Sequence, residues 1–323
     1  MASQIKKPFI SEPVLTVSTA PHWHCGRSVS GLMLETILAL LPVALLAIIQ
    51  FGIEAARVVA LSCVVAVVTE AICLKITGRD VSIDDYSSLL TGVLFAFLLP
   101  ASAPWWLVIV GSSLSIILGR ILFGGPGASP LCAPLVAWAV CRISWKYLMD
   151  MDLSMLNTEF LYPLSQLKLY GPEAVSGFNY LDLFFGKQVG GLGAVQVSGV
   201  LLGGVYLIVR KHIRPHIPLA FLAGVFITAS IYFFIDDTRY ANPFFHLLTG
   251  SVIFGAFFLA TDSASSPVGH IPMILFGLIG GIFVIIIRVY SVYPDGVPFA
   301  ILLANLLTPI LDKIRPKPFK TKL

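Results

Sequence analysis

Residues 86–119 read YSSLLTGVLFAFLLPASAPWWLVIVGSSLSIILG, a stretch of 34 residues without Asp, Glu, Lys or Arg. An apolar helix needs about 20 residues to cross a bilayer, so the stretch is too long for a single span. Proline interrupts helices, and Pro100 and Pro104 divide the stretch into two segments. The first segment, residues 88–99, is too short to cross a bilayer without tilt and is therefore predicted to be a half-helix.

Apolar stretches of this kind fill most of the remaining chain. Only Glu70 interrupts residues 58–74, and the stretches free of charge are 36–53, 121–141, 188–209, 215–235, 240–261, 263–287 and 296–311. With the division of 86–119, the count is ten spans. Charged residues make up 12% of the chain, against about 25% in soluble domains. We therefore expect an all-α polytopic membrane protein with about ten transmembrane helices.

The same composition excludes several classes of protein. It does not fit a disordered chain or an ordinary soluble enzyme. The net charge of +4 comes from basic residues that lie between apolar stretches, so we expect no nucleic-acid partner. The five cysteines are scattered without a CxxC pair, and neither a disulfide framework nor a metal site is expected.

The distribution of basic residues predicts the orientation, because short cytoplasmic loops carry an excess of Lys and Arg. With the N-terminus inside, the inner side receives the basic turn 210–214 and the basic C-terminal tail. Both termini are therefore predicted to be cytoplasmic. The predicted divisions are a cytoplasmic N-terminal segment (1–30), a first five-span repeat (31–145), an outward-facing loop (146–187), a second five-span repeat (188–311) and a basic cytoplasmic tail (312–323).

The sequence Leu-Leu-Thr-Gly occurs twice, at 89–92 and 247–250, each time in the third span of its half. Arg120 and Arg288 also occupy similar positions in the two halves. Because each half has five spans, an odd number, the two repeats are expected to be inverted, an arrangement that places binding sites near the midplane on short or broken helices. Tight helix packing by small residues is the alternative. The candidates for an ion path are Thr91, Gly92, Thr249 and Gly250.

Two carboxylates join these candidates. A charge at the bilayer centre costs roughly 2.5–3.5 kcal/mol on insertion scales, so Glu70 needs a partner or a protonated state. Glu70 and Asp262, which ends the stretch 240–261, are candidates for a sodium or proton path. The alternative for Glu70 is a carboxylate near the membrane interface that meets Lys75 or water.

Several motifs make the chain resemble the RnfD/NqrB family, which includes the D subunit of the Rnf complex and the B subunit of the sodium-pumping NADH:quinone oxidoreductase. The resemblance covers nearly the whole chain, and its most specific motif is the last one. The motifs are Ser87–Gly92, Pro104–Trp106, Phe123–Gly127, Ile217–Phe221, His246–Gly250, Gly255–Phe258, Ala260–Asp262 and Tyr293–Asn305.

The resemblance implies a subunit of an inner-membrane complex that couples electron transfer between ferredoxin and NAD to sodium or proton translocation. Such a chain belongs to an oxidoreductase, works with the other Rnf subunits and is not catalytic alone. The family carries electrons on flavins that the protein positions. Two alternatives stay open: a secondary transporter with inverted repeats, and a structural subunit that has lost its flavins.

The resemblance also implies an FMN, esterified to a threonine of a Ser-Gly-Ala-Thr-like motif in the outer loop. The matching residues here are Ser176, Gly177, Phe178, Asn179, Tyr180 and Asp182. Asn179 replaces the threonine, and an amide cannot form a phosphoester. FMN bound without a covalent link, no flavin, and attachment at another hydroxyl such as Ser176 are the three possibilities for this loop.

A riboflavin is implied near an Asn-Pro-x-Asn-Pro segment at the start of span five. The corresponding segment here is 129–134, in which both asparagines are replaced. The candidate residues for this second flavin are Ser129, Pro130 and Cys132.

Overall fold

A computed structural model describes residues 28–78, 84–125, 127–151, 161–175 and 177–314. All regular elements within these ranges are helical. Most of the predicted N-terminal segment and tail, together with Ser176, lies outside the described residues.

Five helices are long and apolar enough to cross a membrane by length and composition, and four more apolar helices are shorter, with 10–17 residues. The long helices are Val29–Phe51, Ile53–Ile76, Trp105–Phe123, His216–Ile235 and His270–Tyr290. The all-helical polytopic prediction is therefore confirmed. Half of the predicted segments, however, do not form full-length helices.

The first half of the chain contains five helices in the predicted order. They are α1 (Val29–Phe51), α2 (Ile53–Ile76), α3 (Ser87–Leu98), α4 (Trp105–Ile117, continued by the 3-10 turn Ile121–Phe123) and α5 (Ala133–Ser144). The predicted short helix over 88–99 is confirmed as α3, which ends just before Leu99-Pro100.

The second half follows two short helices and contains one broken segment. The short helices are α6 (Pro163–Tyr170) and α7 (Tyr180–Phe184). The second half consists of α8 (Val197–Val209), α9 (His216–Ile235), α10 (Pro243–Leu248), α11 (Val252–Phe254, continued by the π turn Gly255–Leu259), α12 (His270–Tyr290) and α13 (Val297–Leu311).

Contacts between distant segments define two faces of the molecule. At the N-terminal face, where α1 begins, Glu35 pairs with Arg210 after α8, and the Asp312 carboxylate after α13 accepts a hydrogen bond from the Val268 N–H. At the opposite face, Gln50 near the end of α1 donates to the Gly186 carbonyl at 2.6 Å. The two ends of the described chain therefore lie at the same face.

The short helix α3 is buried, and a non-helical segment of the chain satisfies its C-terminal carbonyls. Residues 188–196 are buried throughout and form turns. Within this segment Leu192 N–H donates to the Leu99 carbonyl at 2.9 Å, and Ala194 N–H donates to the Phe97 carbonyl at 3.2 Å. A helix that ends inside a membrane protein needs such partners, because lipid supplies none. The predicted span 188–209 was therefore too long, and its helix begins only at Val197.

Candidate functional site

A cavity of about 370 Å³ opens at the N-terminal face between the ends of α1, α3, α4 and α5, the α8–α9 turn and the segment after the π turn. We call it the N-terminal cavity. Its polar lining includes Thr91, Arg120, Ser129, Cys132, His212 and Asp262. Residues of two separate predictions meet here, since Ser129 and Cys132 came from the riboflavin segment and Thr91 and Asp262 from the ion path.

Two predicted site residues next to these in the sequence, Pro130 and Gly92, do not line the cavity. Pro130 is exposed at the surface. Gly92 packs against α2, where an added Cβ would lie 3.0 Å from the Ser62 carbonyl oxygen. The Ser62 hydroxyl donates to the Gly92 carbonyl at 2.7 Å. Gly92 therefore permits close packing of α3 on α2, which is the alternative given by the sequence.

Glu70 has a buried partner that the sequence did not identify. Arg120 Nη1 lies 3.6 Å from Glu70 Oε1, and the two side chains are only 7% and 5% exposed. Arg120 Nη2 also donates to the Ser87 hydroxyl at 2.6 Å. Glu70 Oε2 and Arg120 Nη1 have no hydrogen-bond partner among the described residues. The partner of Glu70 is thus Arg120, which follows α4 and precedes the 3-10 turn Ile121–Phe123, and not Lys75.

A second carboxylate joins the two halves at this face. Glu35 in α1 forms a two-point contact with the Arg210 guanidinium, at 2.7 and 3.1 Å. Glu35 Oε2 also lies 2.5 Å from His212 Nε2. His212 faces the N-terminal cavity, so its wall includes an ionisable group that the sequence analysis missed. His212 belongs to the basic turn 210–214, which the sequence analysis used only to predict the orientation of the chain in the membrane.

Thr249 and Gly250 lie away from this cavity, at a break in the third segment of the second half. Gly250 has φ +67° and separates α10 from α11. Arg288 donates to the His246 and Thr249 carbonyls, both at 2.8 Å, and lies 3.3 Å from Asp295 Oδ1. The predicted ion-path residues therefore form two groups, one at the N-terminal cavity and one toward the opposite face.

A layer of phenylalanine rings lies between these two groups. The rings of Phe97 in α3 and Phe254 in α11 have centroids 6.0 Å apart, and Phe254 stacks on Phe258 at 5.8 Å. Phe258 lines the N-terminal cavity, while Phe97 and Phe254 are fully buried. The inner end of the cavity is therefore apolar.

The predicted FMN loop lies at the opposite face and has its own local structure. Asn179 begins α7 as its N-cap, and its side-chain oxygen accepts from the Leu181 N–H at 3.1 Å. Asp182 pairs with Lys187 at 2.9 Å. Phe178 is half-buried, whereas Gly177 and Tyr180 are exposed. The two predicted flavin segments therefore lie at different faces.

Comparison with known proteins extends over nearly the whole chain. The family model described as NQR2, RnfD, RnfE family matches residues 16–320. The chain is 36% identical to the D subunit of the ion-translocating oxidoreductase complex of Alcanivorax borkumensis, over 92% of this chain and 94% of the relative. It is 33% identical to the D subunit of the proton-translocating ferredoxin:NAD(+) oxidoreductase complex of Clostridium ljungdahlii, over 97% and 98%. It is 36% identical to the D subunit of the Na(+)-translocating ferredoxin:NAD(+) oxidoreductase complex of Acetobacterium woodii, over 94% of each chain.

Proposed function

We propose that this chain, which belongs to the NQR2, RnfD, RnfE family, is the D-type membrane subunit of a complex that couples electron transfer between ferredoxin and NAD to the translocation of Na+ or H+. The observation that carries the proposal is the match over almost the full length of relatives whose names state this activity. The chain works with the other subunits of the complex and is not catalytic alone. The full-length match to complex subunits argues against a stand-alone transporter.

The proposed ion path begins in the N-terminal cavity. Asp262 and Thr91 supply oxygen atoms to a cation or a proton carrier there, and the Glu70–Arg120 pair lies beside them. Burial of a carboxylate in a membrane segment costs free energy, so such residues are rare and typically mark ion paths. The phenylalanine layer separates this cavity from Thr249 and Gly250, and an apolar constriction of this kind blocks ions until it opens.

We propose that the two halves are inverted repeats. In the first half α2 packs on α3 and α4, and in the second half α9 packs on α10 and α12. Corresponding helices also meet across the halves, with α1 against α8 and α5 against α13. Arg120 and Arg288, each in the fourth segment of its half, both contact the third segment. A short third segment in the first half and an interrupted one in the second agree with the position of binding sites on short or broken helices in inverted-repeat proteins.

We propose that the N-terminal face is cytoplasmic. The basic turn 210–214 lies at this face, next to Glu35. The positive-inside rule supports this orientation, and it places both ends of the described chain in the cytoplasm of a cell with this complex in its inner membrane.

Of the two segments predicted to bind a flavin, the one at Ser129 and Cys132 suits a flavin better than the loop at Asn179. Asn179 offers no hydroxyl for a phosphoester and its side chain already caps α7, so we derive no covalent FMN there. The N-terminal cavity fits better, since hydrogen-bonding groups from three residues line it: Ser129, Cys132 and the Arg120 guanidinium, which also pairs with Glu70. We propose that Arg120, Ser129 and Cys132 hold a non-covalent flavin, which supplies one-electron transfer when bound. The redox group would then lie beside Asp262 on the ion path.

The experiment uses the intact complex in vesicles with either this chain or an Asp262→Asn variant. Ferredoxin-driven NADH formation and ion uptake, followed by ²²Na⁺ or by internal pH, are measured together. We expect Asp262→Asn to lower ion uptake more than electron transfer. The matched control is Asp312→Asn, at the same face but outside the cavity. Full ferredoxin-driven ion uptake by a complex that lacks this chain would refute the proposed function.

A further inference from the structure

A smaller cavity, of about 180 Å³, lies beside the N-terminal cavity at the same face. We call it the side cavity. It is reached from the surface, because Arg214 of the basic turn 210–214 and Val268 before α12 line it and are exposed. Four residues line both cavities and form the wall between them: His212, Ile213, Thr261 and Ser263. His212 is the ionisable group in this wall.

His212 is buried in the wall, and its two ring nitrogens have different surroundings. The side chain is 8% exposed, and Nε2 lies 2.5 Å from Glu35 Oε2. Nδ1 is buried and has no hydrogen-bond partner among the described residues. A carboxylate oxygen accepts hydrogen bonds, so a neutral ring beside ionised Glu35 carries its proton on Nε2 and leaves the lone pair of Nδ1 free. The ring can therefore accept a proton at one nitrogen while it donates at the other.

Glu35 connects the His212 ring to the surface. Its side chain is 22% exposed, and it contacts the Arg210 guanidinium, which is about half exposed, at 2.7 and 3.1 Å. A two-point contact of this kind fixes the orientation of the carboxylate. The same carboxylate thus contacts His212 Nε2 and is accessible to water at the N-terminal face.

On the other side of the wall, the N-terminal cavity contains a second carboxylate. Asp262 lines the cavity, and its Oδ2 accepts from the Ser265 hydroxyl at 3.1 Å. The cavity is large enough for several water molecules, which can join Asp262 to the wall through hydrogen bonds. Buried polar atoms normally have a partner, so we expect water of this cavity to bind His212 Nδ1. The charged groups around the ring are thus Glu35, Arg210 and Arg214 on the surface side, and Asp262 and Arg120 across the cavity.

We propose that Glu35 and His212 form a proton entrance to the N-terminal cavity, so that the ion delivered to Asp262 is H+. Chains of Asp, Glu and His side chains are the usual proton relays of membrane proteins. Imidazole suits this role because it accepts a proton at one nitrogen and releases one at the other. The entrance rests on the proposed function, which leaves the choice between Na+ and H+ open.

One transfer through the wall conserves protons and charge. A proton from surface water binds Glu35 Oε2, and this O–H bond breaks as the proton passes to His212 Nε2. At the same time the N–H bond at Nδ1 breaks, and that proton passes to water in the cavity and on to Asp262. The product carries its proton on Nε2, which is the tautomer that fits the contact with Glu35. A half-turn of the ring then returns a protonated nitrogen to the cavity side.

The test uses the intact complex in vesicles with the N-terminal face outward. The variant His212→Ala removes the ring, and the control His270→Ala removes an exposed histidine of the same face that is not part of the described lining of either cavity. Ferredoxin-driven acidification of the vesicle interior should become about tenfold slower or more in His212→Ala, since a positioned proton-transfer group contributes at least that factor. Added imidazole should restore the rate in His212→Ala, because it fits the space of the lost ring, and should not change it in His270→Ala.

Slower acidification that imidazole restores only in His212→Ala supports the entrance. An unchanged rate in His212→Ala, an equal loss in His270→Ala, or a loss that imidazole does not restore overturns it. Uptake of ²²Na⁺ in place of protons also overturns the entrance but leaves the proposed function intact, whereas full ion uptake without this chain refutes that function itself. If His212→Ala fails to fold, His212→Gln takes its place, because its amide keeps a donor for Glu35 but cannot relay a proton. Slower acidification by His212→Gln supports the entrance, and an unchanged rate overturns it.

Discussion

Replacement of Glu70 by Gln leaves Arg120 as a buried charge without its partner. Loss of one member of a buried pair costs about 3–5 kcal/mol. The 3.6 Å separation is longer than a charge-assisted hydrogen bond, and Arg120 keeps its bond to Ser87, so we take the lower end, about 3 kcal/mol. For a large domain each kcal/mol lowers Tm by about 2 °C, so we expect a fall of roughly 6 °C.

Thermal unfolding of the purified complex in detergent measures this change. The matched control is Glu54→Gln, whose pair with Arg57 is shorter, at 2.7 Å, but whose side chains are about half exposed. Exposed pairs contribute about 0–1 kcal/mol, so the control should change Tm little. The double variant Glu70→Gln/Arg120→Gln removes both charges and should recover part of the loss. If Glu70→Gln lowers Tm no more than Glu54→Gln, the pair does not stabilise the fold and our reasoning is wrong.

Three further predictions concern the loop before α7, the break between α10 and α11, and the contact between α2 and α3. Phe178→Ala/Asn179→Thr, produced together with a flavin transferase, should yield flavin that survives acid precipitation; its absence would show that the loop geometry differs from the family's. Arg288→Lys should destabilise the fold by about 1–3 kcal/mol in thermal unfolding, because a compact ammonium does not reproduce the planar, spread donors with which the buried guanidinium reaches two carbonyls and a carboxylate. Gly92→Ala should destabilise by about 1–3 kcal/mol in denaturant or thermal unfolding through overpacking. The exposed Gly177→Ala should show no such loss, since no described residue apart from its chain neighbour lies within 4 Å of an added Cβ.

Much of the fold follows from local patterns in the sequence. The prolines at 100 and 104 predict the short α3, because proline removes a main-chain N–H and disfavours continuation of a helix. The rule is not absolute, since α1 continues through Pro42. The missing hydroxyl at Asn179 is likewise visible in the sequence alone. The partner of Glu70 is not visible in the sequence. The structure shows Arg120 where the sequence suggested Lys75, because the pairing depends on how α2 and α4 pack.

The two Leu-Leu-Thr-Gly copies show the same limit clearly. The first copy continues as helix α3, whereas the second ends α10 at Thr249 and turns at Gly250. The four residues are identical, so the difference comes from the residues that flank them, such as Ser251 in place of Val93, and from distant groups. Arg288 satisfies the carbonyls that the break exposes, and Asp295 accepts from the Ser251 N–H and hydroxyl. A break in a membrane helix is stable only with such partners.

The buried segment 188–196 has a mechanical consequence. It leads directly into α8 of the second half, while its main-chain N–H groups are bonded to the end of α3 in the first half. These main-chain hydrogen bonds connect the two halves of the chain. A shift of the end of α3 would therefore move the start of α8 as well, or break these hydrogen bonds. A wholesale rocking of one half against the other would tear these bonds. If ions pass the phenylalanine rings as proposed, these bonds favour a local displacement of the rings and of the α10–α11 break over a movement of one whole half.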